Sequence, residues 1–189
     1  MWQLMMVSMM LLVVWPWLRA VAVTHARDDR GPARTVLMFA GGYFTAWLLY
    51  ATGVASLQVR LQHTHLLDAS LAVPAPWPGI VLALAGLFQF SRLKHACLAH
   101  CRSPFTYLLM HWNDGPPSVY GVGLKHGLYC IACCWALMVL GFALGLMNLT
   151  WMAVITVIAA IEQIAPGGGR FARAAGALLI AWGIYLLAH

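Results

Sequence analysis

Six stretches of this sequence run apolar without a break, and they settle the class of structure before any motif is considered. A hydrocarbon core about 30 Å thick takes roughly 17 to 25 helical residues to cross. The runs are Trp2 to Leu18, Thr35 to Leu57, Pro78 to Ser91, Val119 to Met147, Leu149 to Ile164 and Phe171 to Ala188. The third is short and opens on the turn Pro74-Ala-Pro76-Trp-Pro78, and Asn148 is expected to turn the chain between the fourth and fifth. None shows the residue-by-residue alternation of a barrel strand. Only 8% of the residues are charged and 62% are hydrophobic, too little polar surface to coat an ordinary soluble enzyme. The sequence therefore predicts an all-α integral membrane protein, one domain over 1–189, built as a bundle of about six transmembrane helices in a lipid bilayer.

Positive charge orients such a bundle, because short cytoplasmic loops carry the excess of Lys and Arg. Arg19, Arg27, Arg30 and Arg34 follow the first run; Arg92, Lys94 and Arg102 follow the third, with Lys125 at the base of the fourth; Arg170 and Arg173 follow the fifth. The alternation places both termini outside a bacterial plasma (inner) membrane. Trp2 to Leu18 lacks a basic segment before it and a small-residue cleavage site after it, so it reads as a retained span. The net charge of +6 is spread over short clusters and forms no stripe along which a phosphate backbone could lie, which excludes nucleic acid as the expected partner.

The chemistry sits in five cysteines. Cys97 and Cys101 fall one turn apart if their segment is helical, and Cys130 and Cys134 do the same in the fourth run, with Cys133 beside them and Met138 one turn beyond. The topology puts both groups at similar depth on the cytoplasmic side. Thiolate and thioether donors select soft ions, Cu(I) foremost, with zinc as the alternative for thiolates. Thiol redox chemistry and inert packing are the competing readings, since an intramembrane Cys also serves as a small hydrophobe.

Lys94, Arg102, His95, His100, Lys125 and His126 border the cysteines. They read as interfacial anchors, or as cations that hold thiols deprotonated, with Lys94 best placed for the second role, and the histidines are further candidate ligands, although a solvated His is the commoner outcome at a helix end. Glu162 is the only acidic residue inside a run; an ionisable group there points to pairing, with Lys94, Arg102 or Arg170, or to a ligand or proton-accepting role beside the sulfurs. Met5, Met6, Met9 and Met10 crowd the first run, as adaptable filler or as a thioether path toward the cysteines. Small residues at Gly41, Gly42, Gly86, Gly141, Gly145 and Gly176 suit close helix packing.

Hydrolase, metalloprotease and nucleotide-driven signatures are missing from the sequence, which favours a binding protein over an enzyme. Three functions stay open. The first is soft-metal delivery or storage through Cys97, Cys101, Cys130, Cys133, Cys134 and Met138, supported by Lys94, Arg102 and Glu162. The second is a thiol-disulfide oxidoreductase using Cys130 and Cys133, and the third an accessory subunit of a membrane metalloenzyme.

The blocks Lys94-x2-Cys97-Leu98-x2-Cys101-Arg102, Tyr129-Cys130-x2-Cys133-Cys134-Trp135-x-Leu137-Met138 and Glu162 with Pro166-Gly167 resemble those of the bacterial family of predicted metal-binding integral membrane proteins. The likeness covers roughly residues 80 to 170, and Trp2-x2-Met5-Met6-x2-Met9-Met10 resembles the family's Met-rich first helix. The resemblance implies a copper-chaperone role. The chain departs from the family pattern at Gln163, where a Lys is usual, and at Pro16, which stands later than the family's proline.

Overall fold

The computed structural model describes residues 2–24, 31–63, 76–111, 116–144 and 149–188. Every regular element among them is helical: α1 (Trp2–Thr24), α2 (Pro32–His63), α3 (Trp77–Phe88), α4 (Arg92–Cys101), α5 (Pro104–His111), α6 (Pro116–Leu144), α7 (Leu149–Ile164) and α8 (Gly168–Ala188). The expected turn at Asn148, the first part of the Pro74 turn, Gly145 and the basic residues Arg27 and Arg30 lie outside the described residues.

The helix count differs from the expectation of about six: besides the long apolar helices there are two shorter apolar ones, Trp77–Phe88 and Leu149–Ile164, and the segment after α3 adds short helices of its own. Eight helices are described, and four of them are long and apolar enough to cross a membrane: Trp2–Thr24, Pro32–His63, Ser118–Gly141 within α6, and Gly168–Ala188. The third run is a helix of only 12 residues, roughly 18 Å at 1.5 Å per residue, and α7 has 16 residues. The chain beyond α3 is no simple loop either. Gln89 and Phe90 turn it, and Ser91, in an extended conformation, caps a new helix by accepting a hydrogen bond from the Lys94 backbone N–H at 3.1 Å. Helix α4, which carries Cys97 and Cys101, follows from that cap.

Proline marks the starts of α2, α5 and α6, where its missing N–H costs nothing, whereas Pro16 lies inside α1, which continues through it. Gly167, at φ 84°, supplies the left-handed turn between α7 and α8.

Two helix pairs form the frame. α2 packs along α6, and α3 along α8; α1 closes over α2 and also meets α7 and α5, while α4 lies against α6. The α2/α6 contact is close because small residues face backbone. A Cβ at Gly42 would collide with the Tyr120 carbonyl, one at Gly123 with the Phe39 carbonyl, and one at Gly127 would stand 2.9 Å from the Tyr43 carbonyl. Gly86 and Gly176 do the same between α3 and α8, where an added Cβ would lie 2.7 Å from the Gly176 carbonyl or 2.9 Å from that of Gly86. Small residues at these positions let the helix backbones approach closely. Inside the frame sit the fully buried Trp17, Phe39, Tyr43 and Trp47, beside the cysteines.

Candidate metal centre

Helix α6 carries Cys130, Cys133 and Cys134, all buried, and α4 brings Cys101 to the same place. The Sγ atoms of Cys101, Cys130 and Cys133 lie within 4.8 Å of one another. Among the described residues this is the one group of three or more Cys, His, Asp or Glu side chains with donor atoms so close. All five cysteines are free. The Cys133 thiol donates to the Cys130 carbonyl at 3.2 Å, one turn back, and its sulfur is 3.4 Å from that of Cys134. Cys134 thus adjoins the trio on the Cys133 side.

Polar groups from three other helices line the sulfurs. The Gln163 amide of α7 donates to Cys134 Sγ at 3.0 Å and to Cys130 Sγ at 3.6 Å, and the Tyr43 hydroxyl of α2 is 3.4 Å from Cys130 Sγ. From α1, the Trp17 indole N–H donates to the Cys101 carbonyl at 2.7 Å, which fixes the end of α4 where that cysteine sits. Donors of this type stabilise a thiolate in a site withdrawn from water.

The remaining residues singled out in the sequence divide as follows. Cys97, one turn before Cys101, is buried but outside the trio, and burial pushes its thiol above the ordinary range. The Cys101 thiol is also held up, first by hydrogen bonding with Cys130. Met138 is buried on α6 in the same core cluster. Lys94 meets Glu162: Nζ to Oε2 is 2.7 Å, both side chains are 1% exposed, and Gln89 Nε2 donates to the other carboxylate oxygen at 3.0 Å. This ion pair bolts α4 to α7. Arg102 donates to the Ala165 carbonyl at 2.8 Å, satisfying a backbone acceptor beyond the end of α7. Met6, Met9 and Met10 of α1 are buried.

Sequence reasoning missed Tyr43, Gln163 and Trp17. Aromatic residues are everywhere in such helices, and nothing local marks the ones that reach a sulfur or its helix. Gln163 did carry a signal: it is a polar residue next to a buried carboxylate.

The family model PpoB2, described as a copper chaperone, matches residues 1–186. No curated protein and no solved structure matches the chain. A buried cluster of free cysteines fits that description, and with the match running over nearly its whole length, the chain belongs to the PpoB2 family of copper chaperones.

Proposed function

We propose that this protein is a membrane-embedded carrier of Cu(I), holding one ion between Cys101, Cys130 and Cys133. The observation that carries the reading is the approach of three sulfurs from two helices to within 4.8 Å. A metal–thiolate bond of about 2.3 Å sets three sulfurs around one ion about 4 Å apart, so the trio needs only a small inward shift. The all-sulfur donor set favours a soft ion, and three mutually close thiolates suit the low coordination number of Cu(I). A single trio suits carriage of one ion better than storage of many. Gln163, 3.6 Å from Cys130 Sγ, and Tyr43, 3.4 Å from it, offset part of the cost of a thiolate away from water.

Membrane embedding is supported by the four long apolar helices and by their outward faces, where Leu4, Leu37, Leu49 and Leu178 are each about 70% exposed or more. The Lys and Arg bias argues for a bacterial inner membrane with both termini outside and the cysteines toward the cytoplasm. Arg19, Arg34, Arg102, Lys125 and Arg170 would then share one side.

Metal analysis of detergent-purified protein tests the reading. One copper per chain is expected in the native protein and none in a Cys130→Ser/Cys133→Ser variant. Native protein free of copper after anaerobic Cu(I) loading, or a variant that keeps it, overturns the reading. Recovery of the chain in the soluble fraction overturns the embedding.

A further inference from the structure

One turn before Cys130 on α6, and so on the same face, stands His126, with about 5 to 6 Å expected between the two Cβ atoms. It is 1% exposed. Its ring is clamped by aromatics: Trp17 stacks on it at a centroid distance of 3.9 Å, Tyr43 lies at 5.4 Å and Phe39 at 5.9 Å. Two of these residues also serve the sulfur site, Tyr43 through Cys130 and Trp17 through the Cys101 carbonyl. Despite this close setting, Nδ1 has no hydrogen-bond partner among the described residues.

A buried imidazole nitrogen without a partner costs about 1 to 3 kcal/mol, and packing alone gives no reason to keep one. An apolar ring would fill the same aromatic stack without that cost. Imidazole nitrogen is, moreover, a good ligand for copper. A three-coordinate ion leaves a sulfur cage most easily by taking up another donor before it gives up a sulfur. The neighbouring His126 supplies a donor held in one orientation by its stack.

From the unpartnered Nδ1 and its place one turn from Cys130, we infer that His126 is an exchange ligand, binding Cu(I) transiently as the ion enters or leaves the cysteine trio. The inference rests on the copper-carrier reading and assigns a second kind of donor to that site. Binding breaks no covalent bond and changes no oxidation state: the Nδ1 lone pair is donated to the ion as one sulfur releases it.

The test is release of Cu(I) from loaded, detergent-solubilised full-length protein to a competing bidentate Cu(I) chelator, followed by stopped flow. His126→Phe keeps the aromatic stack and removes the donor. It is expected to retain one copper per chain and to release it about tenfold more slowly. X-ray absorption of the native loaded protein during partial release to a dithiolate competitor, which holds no nitrogen donor, is expected to show a nitrogen scatterer beside sulfur. This second measurement needs no variant, so it decides the matter even if His126→Phe does not fold. Unchanged release in a folded His126→Phe, or a sulfur-only shell throughout release, overturns the exchange role and leaves the carrier reading intact. Native protein that binds no Cu(I) overturns both.

Discussion

The side-chain amide of Gln163 donates a hydrogen bond to Cys134 Sγ at 3.0 Å, joining α7 to the cysteine-bearing turn of α6. The same nitrogen reaches Cys130 at 3.6 Å. A residue that reads as an ordinary polar position is therefore the electrostatic lining of the sulfur cluster.

Replacing Gln163 by Leu removes that donor at nearly constant volume. Only the longer of its two contacts, 3.6 Å to Cys130, reaches the copper-holding trio; a hydrogen bond to a charged partner contributes about 1.5 to 3 kcal/mol at full strength, so Cu(I) affinity is expected to fall by about tenfold while the fold survives. Competition against a chelator of known affinity measures the change. An unchanged affinity would show that the amide serves packing alone.

The two cysteines of α4 are expected to behave differently. Cys101→Ser removes a member of the trio and should abolish stoichiometric copper, whereas Cys97→Ser removes a sulfur outside it and should leave one ion per chain. Metal analysis of both variants checks this, and equal loss from the two would mean that α4 rotates on loading.

Proton release follows from the Cys101 thiol. Hydrogen bonding with Cys130 raises its pKa, so at neutral pH the group is protonated and the ion must displace that proton. Copper affinity should then increase as pH rises toward and through the ordinary thiol range of about 8.5. Isothermal titration in buffers of different ionisation enthalpy counts the protons released, and a count of zero contradicts the assignment.

Glu162→Gln leaves Lys94 as a buried charge without its counter-ion. Loss of one partner of a buried pair costs about 3 to 5 kcal/mol. Thermal unfolding in detergent should show a large drop for Glu162→Gln and a much smaller one for the Lys94→Met/Glu162→Gln double variant. Similar losses in both would assign the destabilisation to shape instead of charge.

The glycine seam gives a matched pair of substitutions. At Gly123 a new Cβ would run into the Phe39 carbonyl, so Gly123→Ala is expected to cost about 1 to 3 kcal/mol by overpacking and to spread α2 from α6. Gly53 has nothing within 4 Å, and Gly53→Ala should stabilise α2 by up to about 1 kcal/mol. Paired unfolding curves read both.

Much of this was visible in the sequence because a long apolar run admits few structures. The helical class and the bodies of α1, α2, α6 and α8 follow from run length, whereas the helical setting of Cys97 and Cys101 was only a condition on which their spacing placed them one turn apart. The break at Gln89 to Ser91 falls at the end of the third apolar run, where a two-residue turn and the Ser91 cap start a new helix that hydropathy alone does not mark. Spacing puts Cys130, Cys133 and Cys134 on one turn of α6, and the two whose sulfurs meet that of Cys101 are Cys130 and Cys133. The roll of α6 about its axis is set by Gly123 and Gly127 against α2, a contact between distant segments that no periodicity within α6 contains. Gln163 and Tyr43 were obscure for the same reason: their partners are 29 to 87 residues away.

Cys101 lies 29 residues before Cys130, on a helix held in place by the Trp17 indole and by the Lys94–Glu162 pair. No continuous peptide of this chain can reproduce the trio. The place of Cys101 beside Cys130 therefore depends on α1 and α7 as well as on the two helices that carry the sulfurs. The three sulfurs are thus gathered by the whole tertiary fold, so any change that loosens α1 or α7 reaches a cluster to which neither helix gives a sulfur.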